Sequence, residues 1–203
     1  MKASAMLVLV LAGPLAANPT TPNLGSQGGT AVASTSCGAQ RFTTSFVQDG
    51  KSVHVRLADT TEGWTWDSAA LSGKPVTHLY GSGACQSTEV DVDGDGVPEV
   101  IVTLDDEAPG GSIYVFRRVA GQHTFAPVPV EVGPGFKPRD FMVWDIPGQA
   151  TAPVTIGTDG DIQIKSRSYA LLDQGAGEAL FHYKYQDGML RQQHTKTAAS
   201  AAP

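Results

Sequence analysis

The 203-residue sequence has few charged residues, only two cysteines and no long apolar run. Charged residues account for 17% of it, and its 14 Lys and Arg are outnumbered by 20 Asp and Glu, for a formal net charge of −6. A nucleic-acid partner is not expected, because such proteins usually carry a basic stripe. The apolar run over residues 5–12 is far below the roughly 18 residues that cross a bilayer, so no membrane span is predicted.

Helical periodicity is also missing. No window shows three turns of apolar residues at helical spacing with capping residues, and residues 170–172 allow one helical turn at most. Glycine (23) and proline (13) make up 36 of the 203 residues. This is about 18%, against a usual value near 12%, and is typical of a chain with many turns and short strands. We therefore exclude a helical bundle.

Strand patterns occupy much of the remaining chain. Segments with the alternation or the β-branched content of strands are residues 52–57, 100–104, 112–116, 141–144, 154–156, 162–165 and 181–185. Three Asp-Gly pairs, at 49–50, 159–160 and 187–188, lie beside these segments. Each predicts a hairpin turn, because Asp-Gly tolerates the positive φ that tight turns need. We predict an all-β fold of antiparallel strands and hairpins.

The first residues have the pattern of an export signal. Lys2 precedes the apolar run, Gly13-Pro14 interrupts it and small residues follow, so we predict a signal peptide over residues 1–17. The alternative is a disordered apolar N-terminus. Residues 18–36 have the composition of a flexible linker, and 195–203 that of a disordered tail. The prediction is a single domain over residues 37–194 in an extracytoplasmic location, either the periplasm or the medium.

Cys37 and Cys85 are the two cysteines of the chain. An even pair in an exported chain predicts a disulfide, because oxidising compartments favour one. The alternative is a pair of buried free thiols. No C-x-x-C motif is present, so neither a zinc ribbon nor a redox motif is supported.

The candidate metal-binding motif is the acidic segment from Asp91 to Glu99, with acids at its positions 1, 3, 5 and 9. Calcium takes six to eight oxygen ligands, and a short loop can supply them when alternate side chains point inward. Four acids in nine residues also repel one another unless a cation offsets their charge. We predict a Ca²⁺ site whose ligands are Asp91, Asp93, Asp95, the carbonyl of Val97, and Glu99. The alternative is an acidic turn that faces solvent and holds no ion.

The residue at position 12, counted from Asp91, decides which type of calcium loop this is. An EF-hand needs a bidentate Glu at position 12, on a helix that leaves the loop. Here position 12 is Val102, inside an apolar run that follows Pro98. The loop therefore leads into a strand, and we reject an EF-hand.

Neighbouring segments extend the pattern. Tyr80-Gly81 precedes the loop, the apolar strand follows it, and residues 107–111 form an Ala-Pro turn before a second strand at 112–116. The series over residues 79–117 resembles one FG-GAP repeat, the blade unit of the integrin α-subunit β-propeller, with relatives among bacterial VCBS-type repeats. The resemblance implies calcium binding and a propeller-like repeat unit. It places the ion ligands on Asp91, Asp93, Asp95, Val97 and Glu99.

A closed propeller is harder to accommodate than a single repeat. Propellers have four to eight blades, each of about 40–45 residues in compact families. The 158 residues from Cys37 to His194 therefore allow three or four at most. Either the other blades are few and degenerate, or one repeat unit is embedded in another antiparallel fold.

Trp64 and Trp66 would share one face of a strand, where two indoles could contact a sugar or another ligand. Core or turn packing is the alternative. From these features we predict an exported calcium-binding β-repeat protein that acts as a non-catalytic binding module for a protein or a glycan. Two other hypotheses stay open, a secreted glycan-active hydrolase or its accessory domain, and a periplasmic inhibitor-type β-protein.

Overall fold

A computed structural model of the chain describes residues 29–106, 110–133, 135–146, 151–167, 178–193 and 196–197. These residues form nineteen β-strands and no helix, which confirms the all-β prediction. In chain order the strands are β1 (Ala31–Ala33), β2 (Ser36–Cys37), β3 (Thr43–Asp49), β4 (Ser52–Asp59), β5 (Trp64–Asp67), β6 (Leu71–Ser72), β7 (Lys74–Pro75), β8 (Thr77–Tyr80), β9 (Gly83–Cys85), β10 (Ser87–Val90), β11 (Glu99–Asp105), β12 (Gly111–Arg118), β13 (Phe125–Pro127), β14 (Met142–Trp144), β15 (Thr151–Ile156), β16 (Ile162–Arg167), β17 (Glu178–Gln186), β18 (Met189–Gln192) and β19 (Lys196–Thr197).

The strands form three sheets. Sheet A has the order β1-β3-β4-β5, with β6 next to β5 along the same edge of β4. Sheet B has the order β13-β12-β11-β10-β2, and β14 and β7 pair with its central strands β12 and β11. Sheet C has the order β18-β17-β16-β15-β8-β9, and β19 pairs with β17. Pairing is antiparallel except between β2 and β10 and between β8 and β15, where it is parallel.

Sheet B lies between the other two sheets, because its two faces belong to different cores. Val100, Val102 and Leu104 of β11 pack with residues of sheet A. Ile101, between them in sequence, packs with residues of sheet C. Successive side chains of a strand point to opposite faces, so a strand covered on both faces is mostly apolar. This explains the sequence Val-Ile-Val-Thr-Leu at residues 100–104, in which only Thr103 is polar.

The predicted strands and turns are present. Each of the seven predicted segments overlaps a strand. The three Asp-Gly pairs predicted to form hairpin turns lie between paired strands, β3–β4, β15–β16 and β17–β18. Asp187 and Gly188 both have positive φ, at 51° and 84°, as a two-residue hairpin turn with its right-handed twist requires. Residues 170–172, for which the sequence allows one helical turn at most, lie outside the described residues.

Strands are present in both segments that flank the predicted domain. Part of the predicted linker forms strands, since β1 pairs with β3 and Ser36 of β2 pairs with Ser87 of β10. Part of the predicted tail does so too, because Lys196 and Thr197 pair with β17. Such edge pairing uses backbone hydrogen bonds and needs no apolar side chains, so composition does not reveal it. The predicted signal peptide lies outside the described residues.

A disulfide joins sheets B and C. Cys37 at the end of β2 is bonded to Cys85 at the end of β9, with their Cα atoms 5.7 Å apart, which confirms the predicted pairing. Cys85 is fully buried. The part of the chain that the structure describes contains no helix with the length and apolarity needed to cross a membrane.

Candidate metal centre

The acidic loop connects two neighbouring strands of the middle sheet. It runs from Asp91 to Pro98 between β10 and β11, which pair antiparallel from Val90 opposite Glu99 onward. The segment beyond the loop is strand β11, as the sequence predicted when it rejected an EF-hand. The predicted repeat at residues 79–117 begins in sheet C with β8 and β9 and continues in sheet B with β10 to β12.

Backbone N–H groups of the loop hold its carboxylates in place. Asp91 accepts hydrogen bonds from Gly94 N on Oδ1 (2.8 Å) and from Gly96 N on Oδ2 (2.9 Å). Both glycines have positive φ, at 78° and 83°, which other residues rarely adopt. Asp93 Oδ1 accepts from Asp95 N at 3.1 Å. A carboxylate oxygen has two lone pairs, so each of these oxygens can still bind a cation.

Three of the four acids come together. Asp91, Asp93 and Glu99 each offer an oxygen within 4.8 Å of the others. Asp95 lies outside this group and is exposed, and its Oδ1 accepts a hydrogen bond from Val97 N at 2.7 Å. The roles of Asp95 and of the Val97 carbonyl as ligands stay predictions.

Glu99 is the buried member of the group. Only 1% of the residue is exposed, and its Oε2 accepts a hydrogen bond from Val92 N at 2.7 Å. Among the described residues, none donates a hydrogen bond to its Oε1. Burial raises the pKa of Glu99, the charges of Asp93, Asp95 and Asp91 add to this effect and the Val92 N–H opposes it, and together they bring the pKa to about 7. A buried carboxylate oxygen without a partner is costly, and a bound cation would satisfy it.

The donor set defines the class of ion that this group can hold. All three side chains offer carboxylate oxygens, and hard oxygen donors suit Ca²⁺, Mg²⁺ and Mn²⁺ rather than thiophilic metals. The described residues contain no other group of three His, Cys, Asp or Glu side chains close enough to share an ion.

Residues far away in sequence complete the surroundings of the loop. Arg117 of β12 places Nη1 3.4 Å from Asp93 Oδ2 and donates a hydrogen bond to the Tyr185 hydroxyl of β17 at 2.5 Å. Gly160, in the turn between β15 and β16, packs so closely on the loop that a Cβ there would lie 3.1 Å from Val92 Cα. Sequence reasoning missed both contacts. The sequence signal for the Arg117 contact is the alternation of side chains along β12, which puts Arg117 on the same face as Ile113.

The two tryptophans lie on one face of β5, as predicted, but that face packs on the core between sheets A and B. The Trp66 ring is 5.5 Å from the Phe116 ring. The Trp64 ring stacks on His123 at 5.3 Å and carries the Arg118 guanidinium at 5.2 Å. This is the packing alternative that the sequence left open, and a ligand contact at these rings stays a prediction.

Comparison with family models, with characterised proteins and with solved structures finds no match to this chain. The resemblance to an FG-GAP or VCBS-type repeat therefore rests on the residues at 79–117 alone and stays a prediction.

Proposed function

We propose that Asp91, Asp93 and Glu99 hold a calcium ion and that this ion stabilises the fold. The observation that carries the proposal is the Glu99 carboxylate. It is buried beside two other carboxylates, and its Oε1 has no hydrogen-bond donor among the described residues. Carboxylates at such spacing repel one another, most strongly at the buried Glu99, where solvent is excluded. A divalent cation removes that repulsion and gives Oε1 a partner in one step.

Calcium fits this loop better than magnesium does. Calcium accepts six to eight oxygens at 2.3–2.6 Å in a flexible arrangement, whereas magnesium demands a near-ideal octahedron and gives up its water reluctantly. Asp91 and Asp93 are mounted on a glycine-containing loop, and only Glu99 belongs to a strand, β11. Asp91 and Asp95 are exposed, so water can complete the coordination shell.

We further propose that the chain is an exported binding module without catalysis of its own. The Cys37–Cys85 disulfide supports an oxidising, extracytoplasmic setting, in keeping with the predicted signal peptide. The likeness of residues 79–117 to an FG-GAP repeat supports a calcium-stabilised module that meets a protein or a glycan. Turnover of chromogenic glycosides by the purified chain would contradict the non-catalytic part of this proposal.

Calorimetric titration of the chelator-treated protein tests the ion. Wild type should bind one Ca²⁺ with a Kd of about 10⁻⁴–10⁻³ M, the range typical of extracellular modules, and Mg²⁺ much more weakly. Asp93→Asn should lose most of the binding. Asp49→Asn is the matched control, because Asp49 is an exposed acid in another Asp-Gly turn and Asn-Gly keeps that turn chemistry. Absence of calcium binding in wild type would refute the proposal.

A further inference from the structure

Two consecutive arginines of β12 point to opposite faces of sheet B. Arg117 lies on the face of Ile113 and Val115, which pack toward sheet C. Arg118 lies on the face of Tyr114 and Phe116, which pack toward sheet A. The Arg117 side chain therefore reaches the acidic loop, whereas Arg118 reaches Glu62 with Nη2 2.7 Å from Oε2.

Arg117 has two partners that attract it in different directions. Its Nη1 lies 3.4 Å from Asp93 Oδ2, and the same nitrogen donates to the Tyr185 hydroxyl at 2.5 Å. Its Cζ is 5.9 Å from the centre of the Tyr185 ring. The side chain is 41% exposed, but that of Asp93 is only 8% exposed. The guanidinium can therefore move toward solvent while Asp93 stays in the loop.

A guanidinium and a divalent ion compete for the same carboxylate. Asp93 Oδ1 already accepts the Asp95 N–H, and Oδ2 faces Arg117. An ion bound to Asp93 would place two positive charges next to the positive charge of Arg117, and Coulomb repulsion at such distances is appreciable even near a protein surface.

We propose, on the basis of the calcium site proposed above, that Arg117 is an internal competitor of the metal and lowers the calcium affinity of the loop. When calcium binds Asp93, the Arg117 guanidinium gives up that carboxylate and keeps its hydrogen bond to Tyr185. Tyr185 shares Arg117 Nη1 with Asp93 and so keeps the Arg117–Asp93 contact weak, and it connects occupancy of the loop in sheet B to β17 in sheet C.

Calcium titration of Arg117→Met tests the competition. Methionine keeps the apolar stem and removes the charge. The Arg117–Asp93 pair is open to solvent on the Arg117 side, and a solvent-accessible ion pair contributes up to about 1 kcal/mol, which is about fivefold in an equilibrium constant. We expect the Kd of Arg117→Met to fall about fivefold below that of wild type. The matched control is Arg118→Met, which changes the net charge equally on the other face and should leave the Kd within twofold of wild type.

Two more variants separate competition from structural support. Arg117→Lys keeps a positive charge and should stay closer to wild type than Arg117→Met. Tyr185→Phe removes the group that shares Arg117 Nη1 with Asp93, so the Arg117–Asp93 contact should strengthen and the Kd should rise about threefold, the opposite direction to Arg117→Met. A Kd for Arg117→Met equal to or above that of wild type, or shifts of Arg117→Met and Tyr185→Phe in the same direction, would overturn the competition. Because wild type is titrated in the same series, a lack of calcium binding there identifies failure of the site itself.

Discussion

The two faces of sheet B are built differently, although the same strands supply both. The face toward sheet A is rich in aromatic side chains, and the face toward sheet C is mainly aliphatic. We call the core between sheets A and B the A side and the core between sheets B and C the C side. The aromatic residues of the A side are Phe42, Phe46, Tyr114, Phe116 and Phe125, with Trp64 and Trp66 packed against them. The aliphatic residues of the C side include Ile101, Ile113, Val115, Val154, Ile156, Ile162 and Ile164.

The charged groups that border these two cores also differ. On the A side, Arg118 binds both oxygens of Glu62, at 3.2 and 2.7 Å, and every charge in that contact has an opposite partner. On the C side, Arg117 pairs with Asp93, which is one of three neighbouring carboxylates that include the buried Glu99. Among the described residues, the charges at the border with sheet A are therefore paired, whereas the border with sheet C has a loop with an excess of carboxylates.

Removing the disulfide should have the largest effect, because it joins sheets B and C beside the aliphatic core. Closing a loop across 48 residues of sequence separation stabilises the fold by about 4 kcal/mol in the chain-entropy treatment. The double variant Cys37→Ala, Cys85→Ala should therefore unfold at a much lower urea concentration than wild type. Equal midpoints, with and without reductant, would show that the B–C contact does not depend on the bond.

A cavity on either face of sheet B should lower the free energy of unfolding by a similar amount. Ile101 and Leu104 are fully buried and point to the C side and the A side, respectively. Each change to alanine should lower the free energy of unfolding by about 3 kcal/mol. Urea denaturation followed by tryptophan fluorescence and by circular dichroism should give one coincident transition in both variants. Two separate transitions would mean that the two cores unfold independently.

Acid should weaken the C side through His78. This residue of β8 is fully buried and its Nδ1 is 3.0 Å from Thr103 Oγ1 of β11. Burial lowers its pKa from 6.5 to about 4. Between these values the unfolded chain binds the proton that the folded chain excludes, so stability falls as the pH drops.

By pH 4.5 this effect of His78 should lower the free energy of unfolding by about 2–3 kcal/mol relative to neutral pH. It is measured as the difference in pH dependence between wild type and His78→Gln, because raised pKa values of Glu89 and Glu99 act in the opposite direction in both proteins. Equal dependence on pH in the two proteins between pH 7.5 and 4.5 would contradict a neutral buried His78.

Arg118→Met should have the smallest effect. Its partner Glu62 is exposed to solvent and competes with water, and the methionine side chain can keep packing on Trp64. We expect the melting temperature to change by about 2 °C or less. A larger loss would mean that the A side depends on this ion pair and would remove the contrast with the C side.

The local features of the site and of the fold could be predicted from the sequence. Asp-Gly pairs encode their own turns, and the spacing of Asp91 and Asp93 with their glycines encodes the loop. The contacts with Arg117, Tyr185 and Gly160 could not be predicted, because they join residues far apart in sequence through the stacking of two sheets. Nor does composition reveal β1 and β19, since edge pairing is made by the backbone. Glu99 lies on the same face of β11 as Ile101, which packs toward sheet C, and no local pattern specifies how the two sheets stack.

The most direct measurement is the melting temperature of the whole chain in calcium, in magnesium and in chelator. At a calcium concentration ten times the Kd, binding to the folded state alone adds about 1.4 kcal/mol. For a chain of this size we expect the melting temperature to rise by roughly 3–6 °C in calcium and much less in magnesium, with no rise in calcium for Asp93→Asn. Identical melting of wild type in calcium and in chelator would show that Asp91, Asp93 and Glu99 hold no calcium.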